Sequence, residues 1–408
     1  MNSTKIWMRL CLAGVAGLLS QAGYAQDFPV VPYADPGTAR PFVWMSASPD
    51  SQHGPGKTNC ASNHCYYFPS DVQRAYATSF IANGNGGAGR TVAIVDAYHY
   101  SSVESELQTF STQFGLPACT VASGCLTIVN QVGGPTRAAF NSGWAVETNL
   151  DVQWAHAMAP NAHILLVEGD SNSFNDLGAG VMYAQLHADV VSNSYGANEF
   201  AGESGFDGFY SGSPVPILFS SGDNGAGGHS YPCASTFVVC VGGTSLFETA
   251  TSFRASEAGW SGSGGGCSTQ IAQPAWQAGA VPCSSRAMPD IAAIADPTTA
   301  VLVYFADPRV VGTPGFYLVG GTSAACPIFA GIVAQLQNAR LAAGKPELNV
   351  STLGPDLYTA AAGALYHYRF YDVTAGNNGL AAGAGFDLVT GFGVPLGPAL
   401  TAGLIALP

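Results

Sequence analysis

From about Tyr66 onward, short apolar segments alternate with segments of helical period. TVAIVDAY (91–98), CLTIVNQV (125–132), HILLVEG (163–169), DVVSNSYG (189–196), PVPILFSSGD (214–223), TFVVCVGG (236–243) and AVLVYFA (300–306) read as strands. SSVESELQTFSTQFG (101–115), NSGWAVETNLDVQWAHAMAP (141–160) and a stretch over roughly 173–187 read as helices, the second stopped by Pro160. Strands apolar along their whole length must be covered on both sides. The prediction is therefore an α/β fold, a doubly wound, mostly parallel sheet with helices on both faces. In such sheets ligand sites collect at the carboxyl ends of strands, where Asp96, Ser194 and Asp223 fall.

The ends of the chain differ from this pattern. Residues 1–25 have a basic start (Lys5, Arg9), a short apolar run and small residues before Ala25, which predicts a secretory signal peptide. Residues 26–59 are rich in Pro, Ser and Gly and predict an extended N-terminal arm. Residues 60–408 remain for one catalytic domain, and with 47% hydrophobic residues a large core is available. The formal net charge is -13, and losing Lys5 and Arg9 makes it more negative by two. Nucleic acid and anionic membranes are excluded as natural partners. Lys345 is the only lysine after residue 57. Few amines and many carboxylates suit acidic surroundings, and equally the ordinary solubility of an exported protein.

Cysteine usage agrees with export. Eight cysteines form sequence-local pairs, Cys60/Cys65, Cys119/Cys125, Cys233/Cys240 and Cys267/Cys283, none with zinc-site spacing. Cys326 is left over and reads as a buried free thiol.

Residues 320–327, GGTSAACP, place Ser323 after two glycines and before a helical run, with Pro327 suited to a first turn. A serine hydroxyl needs a base to become a nucleophile; the plain alternative is a helix N-cap. No histidine has the setting of a subtilisin-type base. The 141–158 helix offers Glu147 and Asp151 instead, about 40° apart around the axis and so on one face, with His156 about 140° from Asp151. A solvated acidic face is the ordinary alternative, but Trp144, Val146, Leu150, Val152 and Trp154 surround the pair. In an apolar pocket two carboxylates share a proton, and one can act as general base in acid. Asp223, in FSSGDNGAGG, is either a turn residue or, when protonated, a donor to an oxyanion. In FYDVTAG (370–376) and AAGAGFDLVTG (381–391), the carboxylates of Asp372 and Asp387 and the backbone carbonyls of Val373, Gly383 and Gly385 make an all-oxygen set. Such a set suits calcium, or is two ordinary loop aspartates.

Taken in order, CYYFPSDVQRAY, TVAIVDAY, WAVETNLDVQWAHAMAP, VVSNSYG, SSGDNGAGG, VVCVGGTSL, GWSGSGGGCS, MPDIAAIADPTTAVLVY, GGTSAACP and the DVT…GAGFDLVTGFG tail resemble the sedolisin family, the serine-carboxyl peptidases. The resemblance implies a subtilisin-like fold and peptide-bond hydrolysis in acid. It implies Ser323 as nucleophile, Glu147 as general base, Asp151 orienting Glu147 and sharing its proton, and Asp223 in the oxyanion hole. It further implies one structural calcium ion at Asp372, Val373, Gly383, Gly385 and Asp387, and a substrate cleft lined by 192–196 and 261–266. Protein or peptide substrates, a monomer and a secreted location, extracellular or periplasmic, are expected. Endopeptidase and tripeptidyl-peptidase activity both remain open. The arm is too short for the large folded prodomain of that family, and occlusion of the cleft by the arm is one expected form of control. Two competing readings are a His-dependent serine peptidase using His99 and a retired peptidase fold that only binds.

Overall fold

The computed structural model describes residues 37–47, 60–61, 64–136, 138–249 and 252–408. The expected signal peptide, 1–25, lies outside the described residues, as does much of the expected arm.

The main sheet has eight strands. Its order is Ser252–Gly259, Val239–Thr249, Ile217–Ser220, Val190–Asn193, Thr91–Ala97, His163–Gly169 and Leu126–Asn130, with Ile291–Ile294 also pairing with Val239–Thr249. All pairings are parallel except the hairpin of Val239–Thr249 with Ser252–Gly259. Alternation along single strands divides the core in two. Val92 and Ile94 join Ile164, Leu166 and Val190 under the helices Val103–Phe114, Ser142–Met158 and Thr322–Ala342. Ala93 and Val95 join Leu165, Val167 and Val191 under Phe174–Ala184, which contributes Phe174, Leu177 and Val181. The doubly wound α/β fold expected from the sequence is the one observed.

Three strand expectations shift. The 236–243 strand starts at Val239 and continues to Thr249, and its antiparallel partner Ser252–Gly259 was not foreseen. That partner is polar, with only Glu257 and Gly259 buried, so it carries no apolar signal. The 189–196 strand divides at Ser194: Val190–Asn193 stays in the main sheet, while Tyr195–Asn198 leaves to pair with Arg40–Pro41 and Ser230–Tyr231. The 300–306 strand lies outside the main sheet. As Thr299–Phe305 it pairs with Gly315–Gly320 in a second, five-stranded sheet.

The described part of the arm is extended and takes partners that the sequence did not indicate. Within it, Arg40–Pro41 adds to the edge of Tyr195–Asn198, and Trp44–Ala47 adds to the edge of Gly315–Gly320. Unpaired strand edges offer rows of free N–H and C=O groups, and a Pro-rich segment without periodicity of its own can fill them.

Three disulfides close as the spacing suggested: Cys119–Cys125, Cys233–Cys240 and Cys267–Cys283. Cys65 is disulfide-bonded too, and the backbone register sets Cys60 opposite it. Cys326 is a buried free thiol, pushed up to about 12 by burial, which makes it inert.

Candidate active site

Two helices and three strand ends assemble the site. The Ser142–Met158 helix begins at Asn141, whose side-chain carbonyl accepts the Trp144 N–H at 3.1 Å, an N-cap worth about 1 kcal/mol. It is buried nearly all round. Gln153 fixes it by a two-way bond to the Tyr304 backbone, at 3.0 and 2.9 Å, and Trp154 Nε1 donates to the Leu302 carbonyl at 3.0 Å. These anchors hold Glu147 and Asp151, which are both fully buried. The solvated acidic face is therefore ruled out for this pair.

Ser323 stands in the first turn of Thr322–Ala342, but Gly321, which has no side chain to cap with, is the N-cap residue. The N-cap alternative for Ser323 fails. Pro327 also lies deeper than expected, inside the helix. A proline there supplies no N–H to the carbonyl four residues earlier, that of Ser323. Ser194 Oγ donates to this carbonyl at 3.3 Å instead, and the Ser323 hydroxyl donates to the Ser194 carbonyl at 3.1 Å. The missing helix bond thus ties the nucleophile candidate to the split at Ser194.

The structure brings a third carboxylate to the pair. Asp96, at the carboxyl end of Thr91–Ala97, is fully buried. Burial is the main cause that raises its carboxyl to about 7; the Glu168 charge adds, and the Thr148 hydroxyl works against it. Burial likewise holds Glu147 well above the usual carboxylate range, with the charges of Asp151 and Asp96 adding to it and the Ser323 hydroxyl opposing. Asp151 is raised by burial and then by Asp96, against the Ser194 hydroxyl and Glu147. The oxygens of all three carboxyls are buried, and none closes an ordinary hydrogen bond with an N–H or hydroxyl donor. The nearby hydroxyls are close enough to favour the charged forms without satisfying them. A proton shared between carboxyls is what can satisfy these oxygens. No Lys or Arg pairs with any of the three among the described residues.

Asp223 follows Ile217–Ser220, as its strand-end position suggested. Its Oδ1 accepts the Thr322 N–H at 2.8 Å and the Thr322 hydroxyl at 2.9 Å. Although Asp223 is partly exposed as a residue, its Oδ2 is out of contact with solvent and has no partner. Burial raises this carboxyl to about 7, against the Thr322 bonds, the Arg40 charge and Trp44. The glycine run 261–266 backs this loop: Gly264 N–H donates to the Gly222 carbonyl at 2.6 Å, and Gly225 N–H to that of Gly262 at 2.9 Å. It supports Asp223 from behind, whereas Tyr195–Asn198 is the strand in contact with an extended segment.

The histidines stand apart. His99 Nδ1 bonds to Glu168 at 2.7 Å, and it is not hydrogen-bonded to Ser323. His156 meets the Pro117 carbonyl at 2.9 Å, away from Asp151 as the helix geometry required. Sequence reasoning placed Asp96 at a strand end but gave it no role. Its position beside Glu147 and Asp151 depends on how the strand and helix pack, which no local pattern encodes.

The second acidic site is also gathered. Asp372 accepts from the Gly385 N–H at 3.1 Å and from the Tyr366 hydroxyl at 2.9 Å. Asp387 accepts from the Gly383 N–H at 3.0 Å. Both carboxylates thus close on one 383–385 loop. Asp387 is buried, and burial raises its carboxyl. Among the described residues neither has a Lys or Arg partner, and His367 Nδ1 lies 3.8 Å from Asp372. Two carboxylates, Asp387 buried and Asp372 partly so, with no Lys or Arg partner among the described residues and backbone oxygens at hand, fit a hard divalent ion.

The sequence pattern of the subtilase family matches residues 139–385, more than half of the chain. Kumamolisin from Bacillus sp. (strain MN-32) is 30% identical over 380 residues, covering 83% of this chain and 64% of kumamolisin. Tripeptidyl-peptidase 1 from Homo sapiens is 33% identical over 218 residues, covering 46% of this chain and 36% of that protein. The chain therefore spans less than two thirds of the length of either relative. Pseudomonas sedolisin, a serine-carboxyl proteinase solved with two molecules of pseudo-iodotyrostatin, superposes with a TM-score of 0.69 at 25% identity, covering 84% of this chain and 99% of that one. The chain belongs to the subtilase family, and within it to the sedolisins.

Proposed function

We propose that this protein is a serine-carboxyl peptidase that hydrolyses peptide bonds of protein or peptide substrates in acid. One observation carries the reading: Ser323 faces a fully buried cluster of carboxyls that holds protons and, among the described residues, has no paired cation and no histidine. Glu147 takes the Ser323 proton as the hydroxyl attacks the substrate carbonyl. Asp151 shares that proton and keeps Glu147 oriented, and Asp96 sets how many protons the cluster holds. The Ser323 N–H and the protonated Asp223 Oδ2 donate to the developing oxyanion. Glu147 then returns the proton to the leaving amine, and water releases the acyl group by the reverse route. Imidazole would be charged and useless as a base in acid, whereas a shared carboxyl proton still moves.

Asp372, Asp387 and the carbonyls of Val373, Gly383 and Gly385 would hold one calcium ion, which would neutralise the buried carboxylates and stiffen the loop. A chelator should then lower Tm, and Asp387→Asn should remove that sensitivity. An oxidising, exported location fits the closed disulfides. No helix among the described residues is long and apolar enough to cross a membrane. We read the protein as a monomer.

A peptide aldehyde tests the chemistry directly. It should add to Ser323 Oγ at acidic pH and be released by Ser323→Ala. Equal binding to the alanine variant would leave only a binding protein.

A further inference from the structure

The line of buried carboxyls does not end at Asp96. Glu168 is its in-register partner on the neighbouring parallel strand, His163–Gly169. Paired residues of adjacent strands point to the same face about 5 Å apart, so the two carboxyls are neighbours. Theirs is the face of Ile94 and Leu166, which the Ser142–Met158 helix covers. Both are fully buried, but only Glu168 is satisfied. Its Oε1 accepts the Tyr100 N–H at 3.1 Å, and its Oε2 meets His99 Nδ1 at 2.7 Å. Neither oxygen of Asp96 has a hydrogen-bond partner.

A backbone turn makes that difference. Tyr98 has a φ of +68°, a left-handed conformation that a bulky residue rarely takes. The Tyr98 N–H still donates to the Gly169 carbonyl at 2.8 Å, and the His99 N–H donates to the Ala139 carbonyl at 3.0 Å. The turn between these anchors brings the His99 ring and the Tyr100 N–H onto Glu168. The His99 side chain is 31% exposed, against 0% for Glu168, so this ring is where the line of acids meets solvent.

The other charged and titratable groups nearby are engaged elsewhere or belong to the site. Among the described residues no Lys or Arg pairs with Asp96 or Glu168. Arg309, which faces Tyr100, is bound to Asp307 at 2.6 Å, and the Tyr100 hydroxyl donates to Glu106 at 2.6 Å. The Tyr98 hydroxyl turns away to Asn172 at 3.1 Å. Around Asp96 stand Glu147 and Asp151 of the helix, and Tyr195. The charges act in series. Burial is the main cause that raises the Asp96 carboxyl, and the Glu168 charge adds to it. Burial first, and then the charges around them, raise Glu147 and Asp151, and an Asp96 that has lost its proton is one of those charges. Glu147 is then filled and cannot take the proton of Ser323.

We propose that His99 and Glu168 are positioning residues for the proton of Asp96: in acid the charged imidazole keeps Glu168 ionised, Glu168 keeps the proton on Asp96, and a neutral Asp96 leaves Glu147 free to take the Ser323 proton. The inference rests on the peptidase reading above, and it gives His99 a part in the reaction that is not that of a base. An imidazole carries its charge in acid and loses it near neutrality. Without that charge, Asp96 and Glu168 are two adjacent buried carboxyls sharing one proton, which either can hold. With it, the proton has one place, on the carboxyl that faces the site.

The test is the pH dependence of kcat on one peptide for the wild type, His99→Gln, Glu168→Gln and the double variant. Each single variant should move the upper edge of the profile, where the rate is lost, to lower pH by about one unit. On the acid side, where Asp96 is protonated in every case, kcat should stay within about threefold of the wild type. The double variant should share the edge of Glu168→Gln, because His99 acts only through Glu168. His99→Arg, which keeps a cation at Glu168, should hold the wild-type edge. A loss of rate at every pH with the edge unmoved would make the pair structural only and overturn the inference. So would an upward shift in His99→Gln, shifts that add in the double variant, or a His99→Arg edge that moves with that of His99→Gln. Should Glu168→Gln not fold, the two His99 variants, changed at a partly exposed side chain, decide the matter by themselves. A wild type with no rate in acid would overturn the peptidase reading instead.

Discussion

Two fully buried acidic regions of this molecule are built in opposite ways. At Asp290 the charge is matched. Arg286 meets it with two bonds, at 2.7 and 2.6 Å, and the Tyr358 hydroxyl and the Cys240 N–H add bonds at 3.0 and 2.8 Å. The guanidinium also lies 5.1 Å from the centre of the Trp276 ring. At Asp96, Glu147 and Asp151 nothing matches the charge, and burial drives the carboxyls to keep protons. A paired buried charge can only hold the structure in place. An unpaired buried carboxyl holds a proton that can be given and taken back, which general-base chemistry needs.

Variants that break this contrast should separate activity from stability. Ser323→Ala and Glu147→Gln should each lower kcat by about 1,000-fold or more, read with a peptide substrate at acidic pH. Glu147→Gln should leave Tm unchanged or higher, since it removes a group whose ionisation opposes folding. Arg286→Met should do the reverse: it strands Asp290 and should lower stability by about 3–5 kcal/mol in a urea titration.

The proton-holding cluster also sets a sign for stability against pH. Asp96 and Asp223 bind protons more tightly folded than unfolded, from an ordinary value of 3.8 to about 7. The folded state therefore binds more protons across that window, and stability should fall as pH rises from about 4 to about 7. Asp96→Asn should flatten this slope in Tm scans, whereas a variant at Arg286 should not. The smallest effect should come from Asn141→Ala, about 1 kcal/mol, since it loosens one end of the helix that carries Glu147 without touching the cluster.

The sequence pattern was informative where chemistry is local. The doubly wound core follows from runs such as TVAIVD and HILLVEG, and Glu147 with Asp151 follows from helical spacing. Asp96 was visible only as an acid at a strand end. Its place in the cluster comes from the packing of Thr91–Ala97 against Ser142–Met158, which joins residues some fifty positions apart. Ser252–Gly259 was missed because it is polar and buries only two residues, so it shows no apolar period. The arm was read as extended but given no strands, because its strands take their partners' register, and a segment that borrows order shows no period of its own.

The central claim is that carboxyls, not a histidine, move the proton. The pH dependence of kcat on one peptide, for wild type and Glu147→Gln, tests it most directly. The account predicts a wild-type rate that is high in acid and lost as pH rises through about 7, where Asp223 ionises and can no longer donate to the oxyanion. Glu147→Gln should be inactive at every pH. A wild-type rate that holds or climbs through pH 7, or a Glu147→Gln enzyme that keeps a substantial share of it, would contradict the account.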